Sequence, residues 1–145
     1  MLKKVLATVA FVVHTAGFAQ ATPVGLWKTI DDDAKVEKSL VRITDNSGVL
    51  SGRIEKLLDP ATKPDAVCDK CSDERKDRPL VGLVILRNLK HSGDDPDWWD
   101  GGDITDPKNG KTYRARVRTV DGGAKLQMRG YIGPFYRTQT WIRVE

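Results

Sequence analysis

The stretch that decides the fold is TYRARVRTVDGGAKLQMRGYI, residues 112–132. Over residues 112–120 small or apolar side chains alternate with arginines, and a period of two is typical of a strand with one buried face. Asp121-Gly122-Gly123 then supplies a hairpin turn, because glycine adopts positive φ without steric cost. Residues 125–132 resume as a second strand, so the pattern predicts an antiparallel hairpin. One face of its first strand carries Tyr113, Ala115, Val117 and Thr119, and the other carries Arg114, Arg116 and Arg118.

Short strands and turns of the same kind fill the rest of the chain, with no convincing amphipathic helix. Sequential hairpins predict an all-β, single antiparallel up-and-down barrel of about eight strands, since closure removes exposed edges. Such a barrel holds side chains or one small ligand. Periodicity does not separate a strand from a short helix over residues 80–89, where β-branched content and Gly82 favour a strand. The predicted strands are 24–29, 38–44, 49–58, 80–89, 98–105, 112–120, 125–132 and 135–144.

The N-terminus has the three parts of a secretory signal peptide. Lys3 and Lys4 form a positive region, an almost wholly apolar run covers Val5–Val13, and Ala19-Gln20-Ala21 is a small-x-small cleavage pattern. A membrane anchor is the alternative, but a spanning helix needs about 20 apolar residues and this run is shorter. We therefore predict a signal peptide over residues 1–21 and one β-barrel domain over residues 22–145, located in the periplasm or secreted.

The charge balance gives no indication of a nucleic-acid partner. Without Lys3 and Lys4 the chain has 22 basic and 20 acidic residues, which makes no case for nucleic acid.

An outer-membrane barrel is an alternative for eight exported strands, with the arginines of the predicted strand 112–120 lining its lumen. The doubly apolar run 80–89 and the short strand 38–44 favour a barrel that does not span a membrane.

Cys68 and Cys71 form a Cys-x-x-Cys pair inside the longest predicted loop, residues 59–79. Outside the cytoplasm two such thiols usually form a disulfide. A redox site is the sharper alternative, but Asp65, Asp69 and Asp73 surround the pair, and their charges would raise the thiol pKa. A zinc site would need carboxylate ligands, because the chain beyond residue 21 contains one histidine. We expect a structural disulfide and no cofactor or metal.

Several long motifs resemble the bacterial exported family called domain of unknown function 2147. They are GLWKTIDDD (25–33), CDKCSDERKDRPLVGLVIL (68–86), WWDGGDITDPKNGKTYRARV (98–117), LQMRGYIG (126–133) and RTQTWIRV (137–144). The resemblance covers nearly all of the chain after residue 21. It implies a lipocalin-like barrel with a cavity for a small molecule.

A looser resemblance is to lipocalins in general, which carry Gly-x-Trp on the first strand and an arginine on the last. Gly25, Trp27 and Arg143 match those positions. The resemblance implies that Arg143 covers Trp27 by a cation–π contact at one end of the barrel, worth about 0.5–2 kcal/mol. We expect this pair to be structural rather than part of a site.

No nucleophile and base stand in an arrangement that predicts catalysis. His91 lies in a predicted loop beside Ser92. The acidic runs 31–33 and 94–97 could bind Ca²⁺ through oxygen ligands, but turns also use aspartate. We therefore predict no enzyme activity.

The candidate ligand-binding residues are aromatic or polar side chains on three predicted strands. Trp98 and Trp99 must face opposite sides of one strand, so one enters the core and the other lies at a rim or on the surface. The remaining candidates could give the cavity a polar, cationic lining that pairs a carboxylate or phosphate if they face inward; facing outward they would be solvated. These candidates are Tyr113, Arg129, Tyr131, Arg137 and Gln139.

Two functions follow from this interpretation. The first is an exported, non-enzymatic, lipocalin-like protein that binds a small hydrophobic or amphipathic ligand in the barrel. The alternative is an interaction module of the cell envelope with a filled barrel, whose protein or glycan partner contacts Trp98 or Trp99.

Overall fold

The computed structural model describes residues 10–13 and 21–145. The predicted signal peptide lies outside the described residues, apart from residues 10–13 and Ala21. Eight antiparallel strands close into one barrel in sequence order, and a 3₁₀ turn at Asp121–Gly123 separates the sixth from the seventh. The strands are β1 Gly25–Ile30, β2 Glu37–Asn46, β3 Val49–Leu57, β4 Val84–His91, β5 Trp99–Asp106, β6 Lys111–Val120, β7 Lys125–Ile132 and β8 Phe135–Arg143. The all-β, up-and-down barrel predicted from the sequence is confirmed.

The β6–β7 hairpin shows how side-chain alternation builds the wall. Its register pairs Val117 with Met128 and Arg116 with Arg129. Val117 and Met128 are buried in the core, so the two arginines lie on the outer face. Around the barrel the outer face carries charged pairs such as Arg42 with Glu55, whereas a membrane-spanning barrel presents apolar side chains to lipid.

Large apolar side chains fill the middle of the barrel. Trp27 of β1 and Trp141 of β8 are both almost completely buried. They pack with aliphatic side chains from β2, β3, β4, β6 and β7, namely Val41, Ile43, Leu50, Leu86, Leu89, Val117 and Leu126. Space for a ligand must therefore be sought at the barrel ends.

The two ends of the barrel are built differently. At the N-terminal end, where β1 begins, residues 21–24 meet the β4–β5 connection and the β6–β7 turn. At the disulfide end the long connection 58–83 joins β3 to β4. Gly110 in the β5–β6 turn touches this connection so closely that a Cβ there would overlap the carbonyl oxygen of Lys70.

The predicted strand over residues 80–89 is wrong at its start. β4 begins at Val84, because Leu80 accepts a turn hydrogen bond from the N–H of Leu83 and Gly82 has φ +95°. The prediction of a loop at His91 is also wrong, because His91 ends β4 and pairs with Trp99 of β5. The other predicted strands begin and end within two residues of the observed bounds.

Candidate functional site

The disulfide end is closed by a cross-linked and buried loop. Cys68 and Cys71 are joined, with their Cα atoms 5.4 Å apart, and both belong to the core. Their burial leaves neither sulfur accessible to a redox partner, and bonded sulfurs do not serve as zinc thiolates. The disulfide therefore fits the structural role predicted for it.

A buried arginine fastens this loop to the barrel wall. Arg75 donates to Asp73 at 2.6 Å and to the carbonyl oxygen of Val84 at 2.8 Å. The hydrogen bonds from Arg75 lower the pKa of Asp73 to about 2. Arg87 on β4 lies beside the same carboxylate, 3.9 Å away.

Trp27 and Arg143 pack against each other at the N-terminal end of the barrel. The Arg143 guanidinium lies 4.2 Å from the centre of the Trp27 ring. It donates to the carbonyl oxygens of Gly123, Thr22 and Val24 at 2.6, 2.7 and 2.9 Å. Burial of this guanidinium lowers the pKa of Arg143. The cation–π contact expected from the lipocalin resemblance is thus present, together with hydrogen bonds that order residues 22–24.

Gly25 is required by this arrangement. Its φ is +146°, and a Cβ would collide with the Arg143 guanidinium and the carbonyl oxygen of Glu145. The Trp27 indole N–H donates to the carbonyl oxygen of Pro23 at 2.8 Å. Gly25, Trp27 and Arg143, the three residues predicted to be structural, therefore fix the position of the segment before β1 together.

A cavity of about 420 Å³ lies at the N-terminal end, beside the segment that these residues position. Trp99 is partly exposed there, and its indole N–H forms no hydrogen bond within the described part of the chain. His91 stacks edge-on against Trp99 with ring centres 5.3 Å apart, and its Nε2 lies 2.6 Å from the carbonyl oxygen of Pro96. The cavity is lined by Ala21, Thr22, Pro23, His91, Pro96, Asp97, Trp99, Thr119, Gly122 and Gly123.

Trp98 faces the other way and is covered by arginines. The guanidinium carbons of Arg116, Arg118 and Arg129 lie 4.1, 4.6 and 4.6 Å from its ring centre. Only 3 % of Trp98 is exposed. A partner cannot contact this ring unless the arginines move, which counts against Trp98 as a ligand-binding residue or a docking point.

Arg129 and Tyr131 also lie on the outer face, because their β7 neighbour Met128 is buried. Arg129 is stacked between Trp98 and Tyr136, 4.4 Å from the latter ring centre. Tyr131 packs against Tyr136 and under Arg114. Neither residue lines a cavity inside the barrel.

Tyr113, Gln139 and Arg137 face inward, but each has a protein partner. The Tyr113 hydroxyl accepts from Asn109, and Gln139 accepts from the indole N–H of Trp141 at 3.0 Å. Arg137 reaches out of the disulfide end and donates to Asp32 and Asp33 at 2.7 and 3.0 Å. The hydrogen bonds that Arg137 donates to these two carboxylates raise its pKa.

The three aspartates at 31–33 form a turn rather than a cation site with free ligands. Asp31 accepts hydrogen bonds from the N–H groups of Ala34 and Asp33, and these lower its pKa. Asp32 and Asp33 are paired with Arg137. The predicted role as a plain turn accounts for all three carboxylates.

The seven candidate ligand-binding residues therefore do not form one site. The structure brings Trp99 together with His91, Thr119 and the segment before β1, which the sequence interpretation left out of the candidates. Pairing of β4 with β5 could have suggested His91 beside Trp99. Nothing in the sequence pattern indicates that residues 21–23 fold back over Thr119.

Comparison with known proteins identifies the family. The profile of a family described as "Uncharacterized protein conserved in bacteria (DUF2147)" matches residues 25–143. The chain belongs to the DUF2147 family. Its fold is similar to that of protein HP1028 from the human pathogen Helicobacter pylori, described as belonging to the lipocalin family. That similarity has a TM-score of 0.71 at 21 % identity and covers 86 % of this chain and 84 % of HP1028.

These comparisons establish a lipocalin-like barrel in a bacterial family of uncharacterised activity. No curated protein matches the sequence. The buried disulfide and the bacterial family are consistent with an exported DUF2147 protein. Within residues 10–13 and 21–145 there is no helix with the length and apolar character needed to cross a bilayer.

Proposed function

We propose that this DUF2147 protein is an exported, non-enzymatic binding protein that takes a small, partly apolar ligand at the N-terminal end of its barrel. The observation that carries the proposal is the cavity of about 420 Å³ beside Trp99. Ligand sites in proteins usually occupy about 300–1,000 Å³, so this cavity suits a molecule at the small end of that range.

The lining of the cavity supports a partly apolar ligand. The Trp99 ring, Pro23 and Pro96 offer apolar surface, and burial of a ligand's apolar part against them supplies affinity. The indole N–H of Trp99 can donate to the ligand. The Thr119 hydroxyl donates to the carbonyl oxygen of Ala21 at 3.1 Å and can still accept from the ligand, so both groups can fix its orientation. The filled centre of the barrel limits how deep the ligand can reach.

The non-enzymatic part of the proposal rests on the contacts of the polar groups around the cavity. His91 is already engaged with the carbonyl oxygen of Pro96. In the described part of the chain the His91 ring forms no hydrogen bond with a hydroxyl or thiol, which supports a role other than that of a catalytic base. Export is supported by the leader-like sequence of residues 1–21 and by the disulfide.

The proposal is tested by titrating the exported protein with N-phenyl-1-naphthylamine, an apolar probe whose fluorescence rises on leaving water. Thr119→Phe fills the cavity and should weaken probe binding by at least about tenfold, since the phenyl ring competes for the same space. Thr140→Phe is the matched control, because Thr140 is exposed and pairs with Gln127 on the outer face.

Trp99→Leu provides a second variant that removes the indole while keeping an apolar side chain. It should also weaken binding, whereas Trp98→Leu should not, since Trp98 lies outside the cavity. Absence of probe binding to the unmodified protein, or equal binding by Thr119→Phe and Thr140→Phe, would refute the proposed site.

A further inference from the structure

The turn of the β7–β8 hairpin is an exposed apolar point on an otherwise charged surface. Ile132 and Phe135 are 65 % and 77 % exposed, more than any other large apolar side chain within residues 21–145. Tyr136, next along β8, is 52 % exposed. We call residues 132–135 the hairpin tip. Leaving such side chains in water is unfavourable, so the tip indicates a contact surface.

The tip and the residue pair beside it place apolar or aromatic side chains on both faces of the hairpin. The register pairs Ile132 with Phe135 on one face, and Tyr131 with Tyr136 on the other. β1 pairs with β8 at Arg143 and Ile142. On the β8 side the hairpin therefore extends past the residues that pair with β1, while β7 stays paired with β6 as far as Tyr131.

Two arginines beside the tip have no carboxylate partner in the described part of the chain. Arg129 is stacked between Trp98 and Tyr136, and its buried Nε has no hydrogen-bond partner in the described part of the chain. Arg114 lies over Tyr131 at 5.4 Å and makes a single long hydrogen bond of 3.5 Å to the carbonyl oxygen of Gly133. Stacking fixes the plane of a guanidinium and leaves its edge free to bind two oxygens of an anion.

The nearby acidic groups are neutralised or turned elsewhere. Asp32 and Asp33 lie at the same barrel end, but both are bound by Arg137 on the inward face of β8. Arg116, the next outward arginine along β6, is near Asp95 and Asp100 at 3.9 and 3.8 Å. Asp103 lies opposite Arg114 on β5, but its carboxylate is 3.3 Å from Arg87. Arg114 and Arg129 therefore lie next to the tip without an ion pair in the described part of the chain.

We propose that the hairpin tip docks this protein onto an anionic phospholipid bilayer. Ile132 and Phe135 would enter the boundary between headgroups and acyl chains. Tyr131 and Tyr136 would lie at headgroup level, where amphipathic aromatic rings are enriched. Arg114 and Arg129 would bind lipid phosphates. A free phosphate ion would use the arginines but not the apolar tip, so the combination selects a lipid surface.

The experiment is flotation of the exported protein, with its N-terminus checked by mass spectrometry, on vesicles of defined composition. Vesicles of phosphatidylglycerol and phosphatidylethanolamine should carry the protein, and phosphatidylcholine vesicles should carry much less. Ile132→Ser with Phe135→Ser should lower the vesicle partition coefficient by about tenfold or more. The matched control is Val67→Ser with Val81→Ser, two exposed apolar residues of the disulfide loop.

The charge contribution is tested with Arg129→Gln, which should lower the partition coefficient about fivefold on anionic vesicles. Arg42→Gln is its control, because Arg42 is already paired with Glu55 and Glu145. Circular dichroism must show that all variants keep the strand signal. The tip variant should still bind N-phenyl-1-naphthylamine, which keeps this test separate from that of the cavity.

Three results would overturn the proposal. The first is no flotation with anionic vesicles. The second is an equal loss of binding in the tip variant and its control. The third is release of the protein by inorganic phosphate at constant ionic strength, which would identify a phosphate site rather than a bilayer surface.

Discussion

Replacing Arg143 by alanine should destabilise the barrel more than any change to an exposed arginine. The side chain stacks on Trp27 and donates three hydrogen bonds of 2.6–2.9 Å to carbonyl oxygens of Gly123, Thr22 and Val24. The cation–π contact is worth about 1 kcal/mol. The hydrogen bonds contribute about 1 kcal/mol each where the carbonyls are partly shielded from water, and less where water replaces the donor. We expect a loss of about 3 kcal/mol in the free energy of unfolding.

The measurement is urea denaturation followed by tryptophan fluorescence and by circular dichroism. With a denaturant slope of about 2 kcal/mol/M, the midpoint should fall by about 1.5 M. Arg143→Lys keeps the charge but loses the planar fork, so its midpoint should lie between those of Arg143→Ala and the unmodified protein. Arg42→Ala is the control, because Arg42 forms only exposed ion pairs with Glu55 and Glu145. An Arg143→Ala midpoint no lower than that of Arg42→Ala would refute the role of Arg143 in stabilising the N-terminal end of the barrel.

Three further predictions concern other parts of the barrel. Asp73 has its pKa lowered to about 2 in the folded protein, so its bond to Arg75 stabilises the fold above about pH 4 and that contribution is lost as pH falls toward 2. Because Asp73 is one-third exposed, Asp73→Asn should remove only about 1 kcal/mol of this acid-dependent stability, which urea midpoints at pH 6, 4 and 2.5 would reveal. Replacing Cys68 and Cys71 by alanine should cost about 2 kcal/mol, since a four-residue ring restricts the unfolded chain little. The unreduced protein, denatured so that buried sulfurs are exposed, should gain no mass with iodoacetamide; two free thiols would contradict the disulfide. Trp98→Leu should lower thermal stability and raise the accessibility of the outer arginines to a guanidinium-modifying dicarbonyl; unchanged reactivity would argue against the stacked cluster.

The strands were predictable where alternation and turn chemistry agree. The β6–β7 hairpin follows from Arg114, Arg116 and Arg118 alternating with small or apolar residues before Asp121-Gly122-Gly123. The start of β4 was not predictable, because Leu80 and Leu83 are apolar for a different reason: they pack on the core from a loop. A buried loop residue and a buried strand residue carry the same signal in the sequence.

The candidate site was harder to predict because β8 is amphiphilic on both faces. Trp141 faces inward and Ile142 outward, and the sequence offers apolar residues for either orientation. Which face of β8 points inward depends on its register with β7, in which Trp141 pairs with Leu126. Register is set by tertiary pairing and not by the local sequence. Adjacent residues of a strand face opposite sides, so the sequence predicted that Trp98 and Trp99 would lie on different faces of the wall. Which of the two faces outward depends on register and was not predictable.

The gathering of arginines on Trp98 could in part have been inferred. Counting back from the β6–β7 turn places Arg116 opposite Arg129. Two guanidiniums side by side on an outer face repel one another, and the π face of a neighbouring aromatic ring offsets that repulsion by cation–π attraction. The sequence does not show that Trp98 turns outward to meet them, because that depends on how the β4–β5 connection enters β5.

The barrel is filled at its middle, and a cavity of about 420 Å³ lies beside Trp99. Native mass spectrometry of protein purified from a bacterial periplasm shows whether this cavity holds a ligand. We expect an added small-molecule mass that is released on denaturation and is absent from Thr119→Phe. The same added mass on Thr119→Phe, or a bare chain that also fails to take up an apolar probe, would contradict it.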